Sequence, residues 1–597
     1  MSSASLDVTP KTSVLDAFQV ELLAGLQPYG EEIRLPAGGR VFGRGEQSDA
    51  FFVVDEGEVR LEAHSDELDT ESVLDYVGPG SFLGEVSMLG GTPHSLSAWA
   101  ETDVTARRFS TAGLKRLFTE DPETGIDVLR ALARDTALKL HSANRRLAEQ
   151  AADEAPDPEV EEMVAKAVTA QREFEPWDED RVDRLLEALA EAVSARAEEL
   201  GQRSVEETHI GNAPDKALKI GMASTAIYQS IAGAVGCGPI RELAEERVTE
   251  IASPVGVIVG LVPVTNPVPT FINKTLIALK ARNAIILSCH RMAQGLGNEV
   301  GETILGVLRE HGAPEGLVQW VRRRTSRRKT SKLMRHDDVG LILATGGPAM
   351  VKAAYSSGKP AIGVGAGNAP AWIAPDADIE AAAQAVVNSK AFDYGLICGS
   401  EQHLVVDRSV RDEFVAALEA NDATVLDWEE TEQFVAGAFE PSGDLKLHFT
   451  GQAAGRIAEA VGLERGRESR LLVFLADATD PAGAQAKERL APVLSLFTVD
   501  GDEGALALCR RLLEYEGTGH TANIHTHDEA RIERFAREMP ASRVLVNVPS
   551  ALGCCGAVTG LKPSLTLGCG TFGGNSTTDN VTYENLINVK RLARSTV

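Results

Sequence analysis

Apolar runs of strand length, separated by segments with helical periodicity, dominate the chain after residue 160. The clearest runs are PVGVIVGLVPV at 254–264, NAIILS at 283–288 and VGLILATGG at 339–347. Continuous apolar runs are typical of strands buried on both faces of a parallel sheet. Their alternation with helices therefore predicts a doubly wound α/β unit. None of the runs is long enough to span a bilayer as a helix.

A separate domain is predicted before this unit. Residues 144–162 are small, acidic and proline-containing, which is typical of a linker. The preceding segment has an amphipathic pattern at 14–26, glycine-rich turns, and apolar residues at helical spacing after Thr111. Within it, FFVVDEGEVRLEAH at 51–64 alternates apolar and polar residues on both sides of a turn, which predicts a β-hairpin.

Charge and cysteine content narrow the function classes. Asp and Glu number 87 against 59 Lys and Arg, so the net charge of -28 provides no overall attraction for nucleic acid or an anionic membrane. The seven cysteines include no CxxC pair, so neither a disulfide framework nor a metal site is expected. The first residues lack the basic and apolar regions of a secretory signal. We therefore expect a cytoplasmic protein without nucleic-acid or membrane partners.

The turn VVDEGEVRL and the segment GEVSMLGGTPHS resemble the cyclic nucleotide-binding domains over residues 15–145. The resemblance implies an eight-stranded β-roll with flanking helices and a ligand site at Gly84, Glu85, His94 and Ser95. In that family the segment's amides bind the cyclic phosphate, the acid at Glu85 binds the ribose, and an Arg stands where His94 stands here. Histidine lacks the permanent charge and fixed fork of arginine. A site for a cyclic nucleotide or another small anion, and a purely structural domain, both remain open.

Five further motifs occur in order along the rest of the chain. They are VPVTNPVPTFINKTLIALKARNAIILS, ATGGPAMVKAAYSSGKPAIGVGAGNAP, DYGLICGSEQ, GHTANIHT and PSLTLGCGTFGGNS. Together they resemble the CoA-acylating aldehyde dehydrogenases, especially the aldehyde dehydrogenase half of bifunctional aldehyde–alcohol dehydrogenases, over roughly residues 158–597.

The two resemblances imply a multidomain chain, with an N-terminal β-roll followed by an α/β aldehyde dehydrogenase fold. The implied parts are a cyclic nucleotide-binding-like domain at 12–148, a linker at 149–160, a Rossmann-like NAD(P)-binding and oligomerisation part at 161–388 and 575–597, and a catalytic subdomain at 389–574.

The aldehyde dehydrogenase resemblance assigns three catalytic residues. Cys398 matches the thiolate that attacks the aldehyde and forms a thioester. Asn266 matches a side-chain donor to the resulting oxyanion, with the Cys398 amide as the other donor. His520 matches a histidine near the thiol, which implies an acid/base or CoA-positioning role. No role is predicted for the other six cysteines, which read as small buried hydrophobic residues.

The resemblance also implies NAD or NADP as cofactor and coenzyme A as cosubstrate. Glu488 matches the acid that binds the nicotinamide ribose, Ser288 lies near the adenosine ribose, and Thr345 begins a loop for the pyrophosphate. The full predicted cofactor site comprises Pro263, Thr265, Ser288, Thr345, Gly346, Gly347, Gly365, Gly367 and Glu488.

A missing acid distinguishes two reaction types. Hydrolytic aldehyde dehydrogenases carry a glutamate that activates water, but the matching segment at 363–370, GVGAGNAP, has no carboxylate. The thioester is therefore expected to wait for CoA, which gives acyl-CoA and a reversible reaction. A hydrolytic enzyme with another base and a non-catalytic sensory or scaffold protein are the alternatives. The expected partners are a small aldehyde, acyl-CoA and further copies of the chain, and a ligand of the N-terminal domain is a candidate regulator.

A basic run at 322–329 departs from the family pattern. Because it follows the strand near Trp320, at the border of the adenosine pocket, it favours either the 2′-phosphate of NADP or the 3′-phosphate of CoA. A solvated helix face is the alternative interpretation.

Overall fold

The computed structural model describes residues 25–65, 70–154, 156–323, 326–479 and 481–596. Most of the amphipathic pattern predicted at 14–26, and Arg324 of the basic run, lie outside the described residues. The chain forms two compact units, Met1–Ala155 and Pro156–Val597. None of the described helices combines the length and apolar character needed to cross a membrane.

The described residues of the first unit form eight strands in two antiparallel four-stranded sheets. The strands are β1 (Glu31–Leu35), β2 (Arg40–Phe42), β3 (Ala50–Glu56), β4 (Val59–Ser65), β5 (Thr70–Val77), β6 (Phe82–Leu83), β7 (Ser97–Ala100) and β8 (Val104–Ser110). The sheet orders are β1-β8-β3-β6 and β2-β7-β4-β5. The helices are α1 (Glu85–Gly90), α2 (Thr111–Glu120) and α3 (Pro122–Glu154). This arrangement agrees with the roll that the resemblance implies.

The β-hairpin predicted at 51–64 is wrong. Strands β3 and β4 form at the expected residues, but β3 pairs with β6 and β8 whereas β4 pairs with β5 and β7. The connecting Gly57 has a φ of 87°, and a Cβ on it would lie 2.3 Å from the carbonyl oxygen of Asp103. The turn therefore carries the chain from one sheet to the other against the loop before β8. Alternation along two strands cannot distinguish this geometry from a hairpin.

The second unit contains the predicted α/β alternation. Its strands are β9 (Gly238–Leu243), β10 (Val248–Pro254), β11 (Val257–Val262), β12 (Ala284–Cys289), β13 (Val318–Trp320), β14 (Val339–Thr345), β15 (Ala361–Val364), β16 (Ala369–Ile373), β17 (Glu401–Asp407), β18 (Ala423–Val425), β19 (Leu471–Ala476), β20 (Val493–Val499), β21 (Gly519–His525), β22 (Ala541–Val546) and β23 (Ile587–Ala593).

Its helices are α4 (Pro158–Phe174), α5 (Glu179–Ser194), α6 (Ala197–Thr208), α7 (Ala213–Gly221), α8 (Ile227–Ile231), α9 (Pro267–Lys280), α10 (Gln294–Glu310), α11 (Arg327–Arg335), α12 (Pro348–Tyr355), α13 (Ile379–Ala391), α14 (Arg411–Ala420), α15 (Trp428–Ala438), α16 (Ala454–Ala460), α17 (Gly501–Tyr515), α18 (Glu529–Glu538) and α19 (Ser550–Cys554).

A parallel five-stranded sheet has the order β13-β12-β11-β14-β15. Strands β11 and β12 are buried at every residue, as the continuous apolar runs predict, and α9 packs on them with all of its residues buried. The strand order reverses between β11 and β14. The loops that leave the carboxyl ends of these two strands diverge there and leave a crevice, which is where α/β sheets bind ligands.

A second parallel sheet has the order β18-β19-β20-β17-β16-β21-β22. Its central strands β17, β16 and β21 begin at the same edge because they are parallel. Cys398 precedes β17, Gly367 precedes β16, and His520 is the second residue of β21. The topology thus gathers three residues that are far apart in the sequence.

The boundaries predicted from the resemblance differ in detail from the structure. The change from one parallel sheet to the other comes between β15 and β16, upstream of the predicted boundary at 388/389. The last strand, β23, returns to pair with β10 in a three-stranded antiparallel sheet with β9. The predicted linker at 149–160 is mostly helical, since α3 ends at Glu154 and α4 begins at Pro158.

Candidate active site

A cavity of about 870 Å³ occupies the crevice at the carboxyl ends of β11 and β14. This volume lies within the range of small-molecule and cofactor sites. The predicted site residues on its wall are Pro263, Thr265, Asn266, Ser288, Thr345, Gly346, Gly347, Gly365, Cys398 and Glu488. The two remaining predictions, Gly367 and His520, contact Cys398 from behind this wall.

Cys398 and His520 form a close pair. The Nε2 atom of His520 lies 3.2 Å from the Cys398 Sγ, and the Nδ1 atom lies 2.9 Å from the hydroxyl of Thr521. Burial, with a smaller effect of Arg543, lowers the pKa of His520 to about 3. The imidazole is therefore neutral at physiological pH. A tautomer that carries its proton on Nδ1 leaves the Nε2 lone pair free to accept the thiol proton.

The Cys398 thiol needs such an acceptor. Burial raises its pKa above the ordinary value, and the nearby Glu488 carboxyl raises it further. A thiol with a raised pKa carries little thiolate at neutral pH, and the thiolate is the nucleophilic form. The resting pair is thus a neutral thiol beside a neutral base.

Asn266 lies at the start of α9 and faces the cavity. Its Nδ2 atom donates to the carbonyl oxygen of Leu396 at 3.2 Å, two residues before Cys398. Its Oδ1 atom accepts from the ammonium group of the buried Lys219. The side-chain amide is therefore oriented with its N–H groups toward the Cys398 segment, as an oxyanion donor requires.

Glycine at position 367 is required by packing. A Cβ on Gly367 would lie 1.7 Å from the carbonyl oxygen of Cys398. The Gly367 N–H also donates to Oε1 of Glu488 at 3.0 Å. The segment at 363–370 thus supports the nucleophile through its backbone.

Glu488 is the one carboxyl group among the described residues on the cavity wall. Burial and the neighbouring Glu516 raise its pKa to about 8. At neutral pH this carboxyl group is mostly protonated, so it is a weak acceptor for a proton from water. Its position beside Gly367 fits the predicted contact with a ribose hydroxyl.

The loop after β14 fits a dinucleotide. Gly347 is the N-cap of α12, so the positive end of that helix dipole lies at the cavity. The shielded Oγ1 of Thr345 has no hydrogen-bond partner among the described residues. A bound pyrophosphate would be attracted by the helix end and could accept from the Thr345 hydroxyl. Ser288, on β12, contacts the hydroxyl of Thr330 at 3.1 Å.

The basic side chains of the run at 322–329 lie in different surroundings. Arg322 stacks on Trp320 at 4.2 Å and pairs with Glu302, and Lys329 pairs with Glu159 at 2.6 Å. Of the run's described basic residues, Arg327 lines the cavity. The sequence did not indicate Arg291, which lines the same cavity after β12.

Further unpredicted residues surround the nucleophile. Cys555 lines the cavity, and its Sγ lies 3.8 Å from that of Cys554, although sequence reasoning gave neither a role. Lys219 belongs to the motif DKALKIG, in which two lysines three residues apart share an otherwise apolar helix face. Two lysines on an apolar helix face indicate a shared acidic partner, because lysine is rarely buried without one.

The predicted ligand residues of the first unit also come together, but they are already engaged. Glu85 is buried and pairs with Lys139 of α3 at 2.6 Å. His94 is buried, stacks on Phe42 at 3.9 Å, and lies over Gly84. Ser95 is exposed. Burial lowers the pKa of His94, so this side chain does not supply the positive charge of the family's arginine.

Comparisons with known proteins match two different family models to the N-terminal part and to the rest of the chain. The aldehyde dehydrogenase family model matches residues 140–586, and the model of the cyclic nucleotide-binding domain matches residues 32–121.

Among curated proteins, the bifunctional aldehyde-alcohol dehydrogenase AdhE of Escherichia coli strain K12 is 38% identical over 441 residues, which is 73% of this chain and 49% of that protein. The chain thus spans about half the length of this relative. The acetylating succinate-semialdehyde dehydrogenase of Clostridium kluyveri is 34% identical over 433 residues, covering 72% of this chain and 95% of that protein.

Among solved structures, an acetylating aldehyde dehydrogenase from Geobacillus thermoglucosidasius is 42% identical with a TM-score of 0.71. The match covers 74% of this chain and 97% of that chain.

Proposed function

Because the chain belongs to the aldehyde dehydrogenase family, we propose that it interconverts aldehyde, CoA and NAD(P)+ with acyl-CoA and NAD(P)H. The observation that supports this most strongly is the Cys398 thiol, 3.2 Å from the Nε2 of a neutral His520 at the wall of a cavity fit for a dinucleotide. Similarity to acetylating members of the family also supports it.

Different residues of the protein carry out different steps of the reaction. His520 takes the proton from Cys398, and the thiolate attacks the aldehyde carbon to form a C–S bond and an oxyanion. The Nδ2 of Asn266 and the amide of Cys398 stabilise the negative charge. Bound NAD(P)+ supplies a hydride acceptor, and Thr345, the α12 N-terminus and Glu488 would hold it. Loss of the hydride restores the carbonyl group as a thioester on Cys398.

The thioester waits for CoA because the described cavity wall offers no ionised carboxylate to activate water. Glu488 is its one described carboxyl group, and a pKa of about 8 keeps that group mostly protonated at neutral pH. A CoA thiolate attacks the thioester carbonyl and expels the Cys398 thiolate. Because one thioester replaces another, this exchange is reversible.

We expect NAD(P)H formation beyond one equivalent per chain only when CoA is present. The wall beside Cys398 is apolar, with Ile397, Leu565 and Leu567, and offers no cationic side chain within this apolar cluster. Uncharged short aldehydes should therefore be oxidised, whereas anionic ones such as succinate semialdehyde should react poorly. Absorbance of the reduced nicotinamide across an aldehyde panel, with and without CoA, measures both. Continued turnover to carboxylate without CoA would instead establish the hydrolytic alternative, and no reaction would favour a non-catalytic protein.

The assay is run with both NAD+ and NADP+. Arg291 and Arg327 line the cavity beside Ser288 and Thr330, so a phosphate on the adenosine ribose would meet positive charge there. This favours the 2′-phosphate of NADP+ or the 3′-phosphate of CoA. A lower KM for NADP+ than for NAD+ indicates the first, and a higher KM for 3′-dephospho-CoA than for CoA indicates the second. Assembly of the chain into a homo-oligomer stays a prediction.

For the first unit, we propose a regulatory site that opens only when Lys139 leaves Glu85. The carboxylate that the family uses for the ribose is bound by Lys139, which also pairs with Asp135 at 2.8 Å and donates to the carbonyl of Phe82 at 3.0 Å. A cyclic nucleotide must break this ion pair before it can bind Glu85. Ligand binding would thereby act on α3.

Calorimetric titration with cyclic AMP and cyclic GMP tests this proposal. The unmodified protein should bind them weakly, and K139M should bind at least about tenfold more tightly because the competing partner of Glu85 is gone. K115M, which removes an exposed lysine of α2, is the matched control and should not change the affinity. Equal affinity of the unmodified protein and K139M would contradict the proposal.

A further inference from the structure

Two buried lysines on α7 lie behind the candidate oxyanion donor. Lys216 and Lys219 are 3% and 2% exposed. Lysines are almost never buried to this extent unless they are paired. Both pair with the carboxylate of Asp393, which is fully buried. Lys216 also donates to the carbonyl oxygen of Thr265 at 3.1 Å, and Lys219 donates to the side-chain oxygen of Asn266.

Asp393 is itself held rigidly. Its φ of 44° and that of Tyr394, 53°, lie in the left-handed region that non-glycine residues rarely adopt. The N–H of Asp393 donates to Asp215 at 2.7 Å, and its Oδ1 accepts from the N–H of Asn212 at 2.9 Å. Strained backbone of this kind persists where the surroundings fix it and clusters at functional sites. The two strained residues lie five and four residues before Cys398.

The lysine determines how the Asn266 amide points. An ammonium group only donates, so the atom that contacts Lys219 must be the amide oxygen. The amide nitrogen is then turned away, where it donates to the carbonyl of Leu396 at 3.2 Å. Its other contact, with the hydroxyl of Thr265, is long at 3.4 Å, so one N–H remains available to a better acceptor in the cavity.

We propose that Lys219 is a positioning residue that aims the Nδ2 of Asn266 at the oxyanion, and that Asp393 fixes Lys219 in place. This inference rests on the proposed acyl-transfer function. The ammonium group also polarises the amide, which strengthens its N–H donors. Without Lys219, the amide can rotate and present its oxygen to the developing negative charge, which would oppose the reaction.

The test is the variant K219M, which keeps the length of the side chain and removes the charge. We expect kcat for NAD(P)H formation to fall about 10- to 100-fold, because a preorganised donor is lost only in part. The KM for NAD(P)+ should stay within about twofold, and the rate of Cys398 alkylation by iodoacetamide should not change. K219R, which retains the donated hydrogen bond, should recover part of the activity.

A double-mutant cycle with N266A separates positioning from a general structural role. If Lys219 acts through Asn266, adding K219M to N266A should lower kcat by less than about threefold. The same full loss in both backgrounds would overturn the inference, as would unchanged kcat in K219M. If K219M does not fold, K219L, which also removes the charge and the donated hydrogen bond, takes its place in the cycle.

The matched control is K280M. Lys280 is a fully buried lysine at the other end of α9, paired with Asp183 at 2.5 Å and Glu179 at 3.2 Å. It lies about 20 Å from Asn266 along the helix. Its replacement should lower the melting temperature and leave kcat unchanged. Absence of any aldehyde- and CoA-dependent activity in the unmodified protein would refute the proposed function instead, whereas a normal K219M beside an active parent refutes this inference alone.

Discussion

The variant C398A is expected to lose NAD(P)H formation by at least about 10⁴-fold, the scale at which removal of a covalent nucleophile acts. No C–S bond can form, so no tetrahedral oxyanion arises from which the hydride can leave. The Cys398 side chain packs against the apolar cluster that includes Ile397, Cys555 and Leu567, and loss of one sulfur atom there should leave the fold intact. Binding of NAD(P)H, measured by its fluorescence, should stay within a few-fold of the unmodified protein.

The control is C509A. Cys509 is buried in α17, packed in the core with Leu508 and Leu512 and away from the cavity wall. Its replacement should lower stability slightly and leave turnover unchanged. Retained activity in C398A, or a comparable loss in C509A, would refute the assignment of the nucleophile.

The second large effect is expected in H520N, in which kcat/KM at neutral pH should fall about 10²- to 10³-fold. The raised pKa of Cys398 makes the thiol dependent on a base, and His520, with a pKa of about 3, is neutral and 3.2 Å away. As pH rises, direct ionisation of the thiol replaces the lost base. The activity of H520N should therefore increase with pH more steeply than that of the unmodified protein, whose imidazole does not titrate between pH 6 and 9.

H525N is the matched control for this variant. His525 is a buried histidine on the same strand, β21, and burial lowers its pKa to about 4. It lies about 17 Å further along the strand. Its replacement should not change the slope of kcat/KM against pH. Parallel pH profiles for H520N and the unmodified protein would exclude His520 as the base.

Secondary structure was predicted best where the sequence pattern is typical of one kind of element. The apolar runs at 254–264, 283–288 and 339–347 are typical of strands buried on both faces of a parallel sheet, and they form β11, β12 and β14. The hairpin at 51–64 failed because period-two alternation describes a strand without its partner. Gly57 redirects the chain between sheets through a contact with Asp103, which is distant in sequence.

In the candidate site too, a local sequence pattern identifies a residue but not the residues that it contacts. Linear motifs predicted Cys398, Asn266 and Glu488 as site residues, and all three lie on the wall of one cavity. Their partners depend on three-dimensional contacts. The Lys219 contact with Asn266, the Lys139 pair with Glu85, and the presence of Arg291 on the cavity wall all join residues from separate elements. Of these contacts, the one made by Lys219 could have been predicted, because two lysines share one face of α7.

The most direct test is the mass of the Cys398 peptide after the protein is mixed with aldehyde and NAD(P)+ in the absence of CoA. We expect one acyl group on Cys398, formed together with one equivalent of NAD(P)H and persisting until CoA is added. Addition of CoA should remove the acyl group and yield an equal amount of acyl-CoA. An unmodified Cys398 peptide beside continued NAD(P)H formation, or loss of the acyl group as free carboxylate before CoA is added, would contradict a CoA-dependent thioester mechanism.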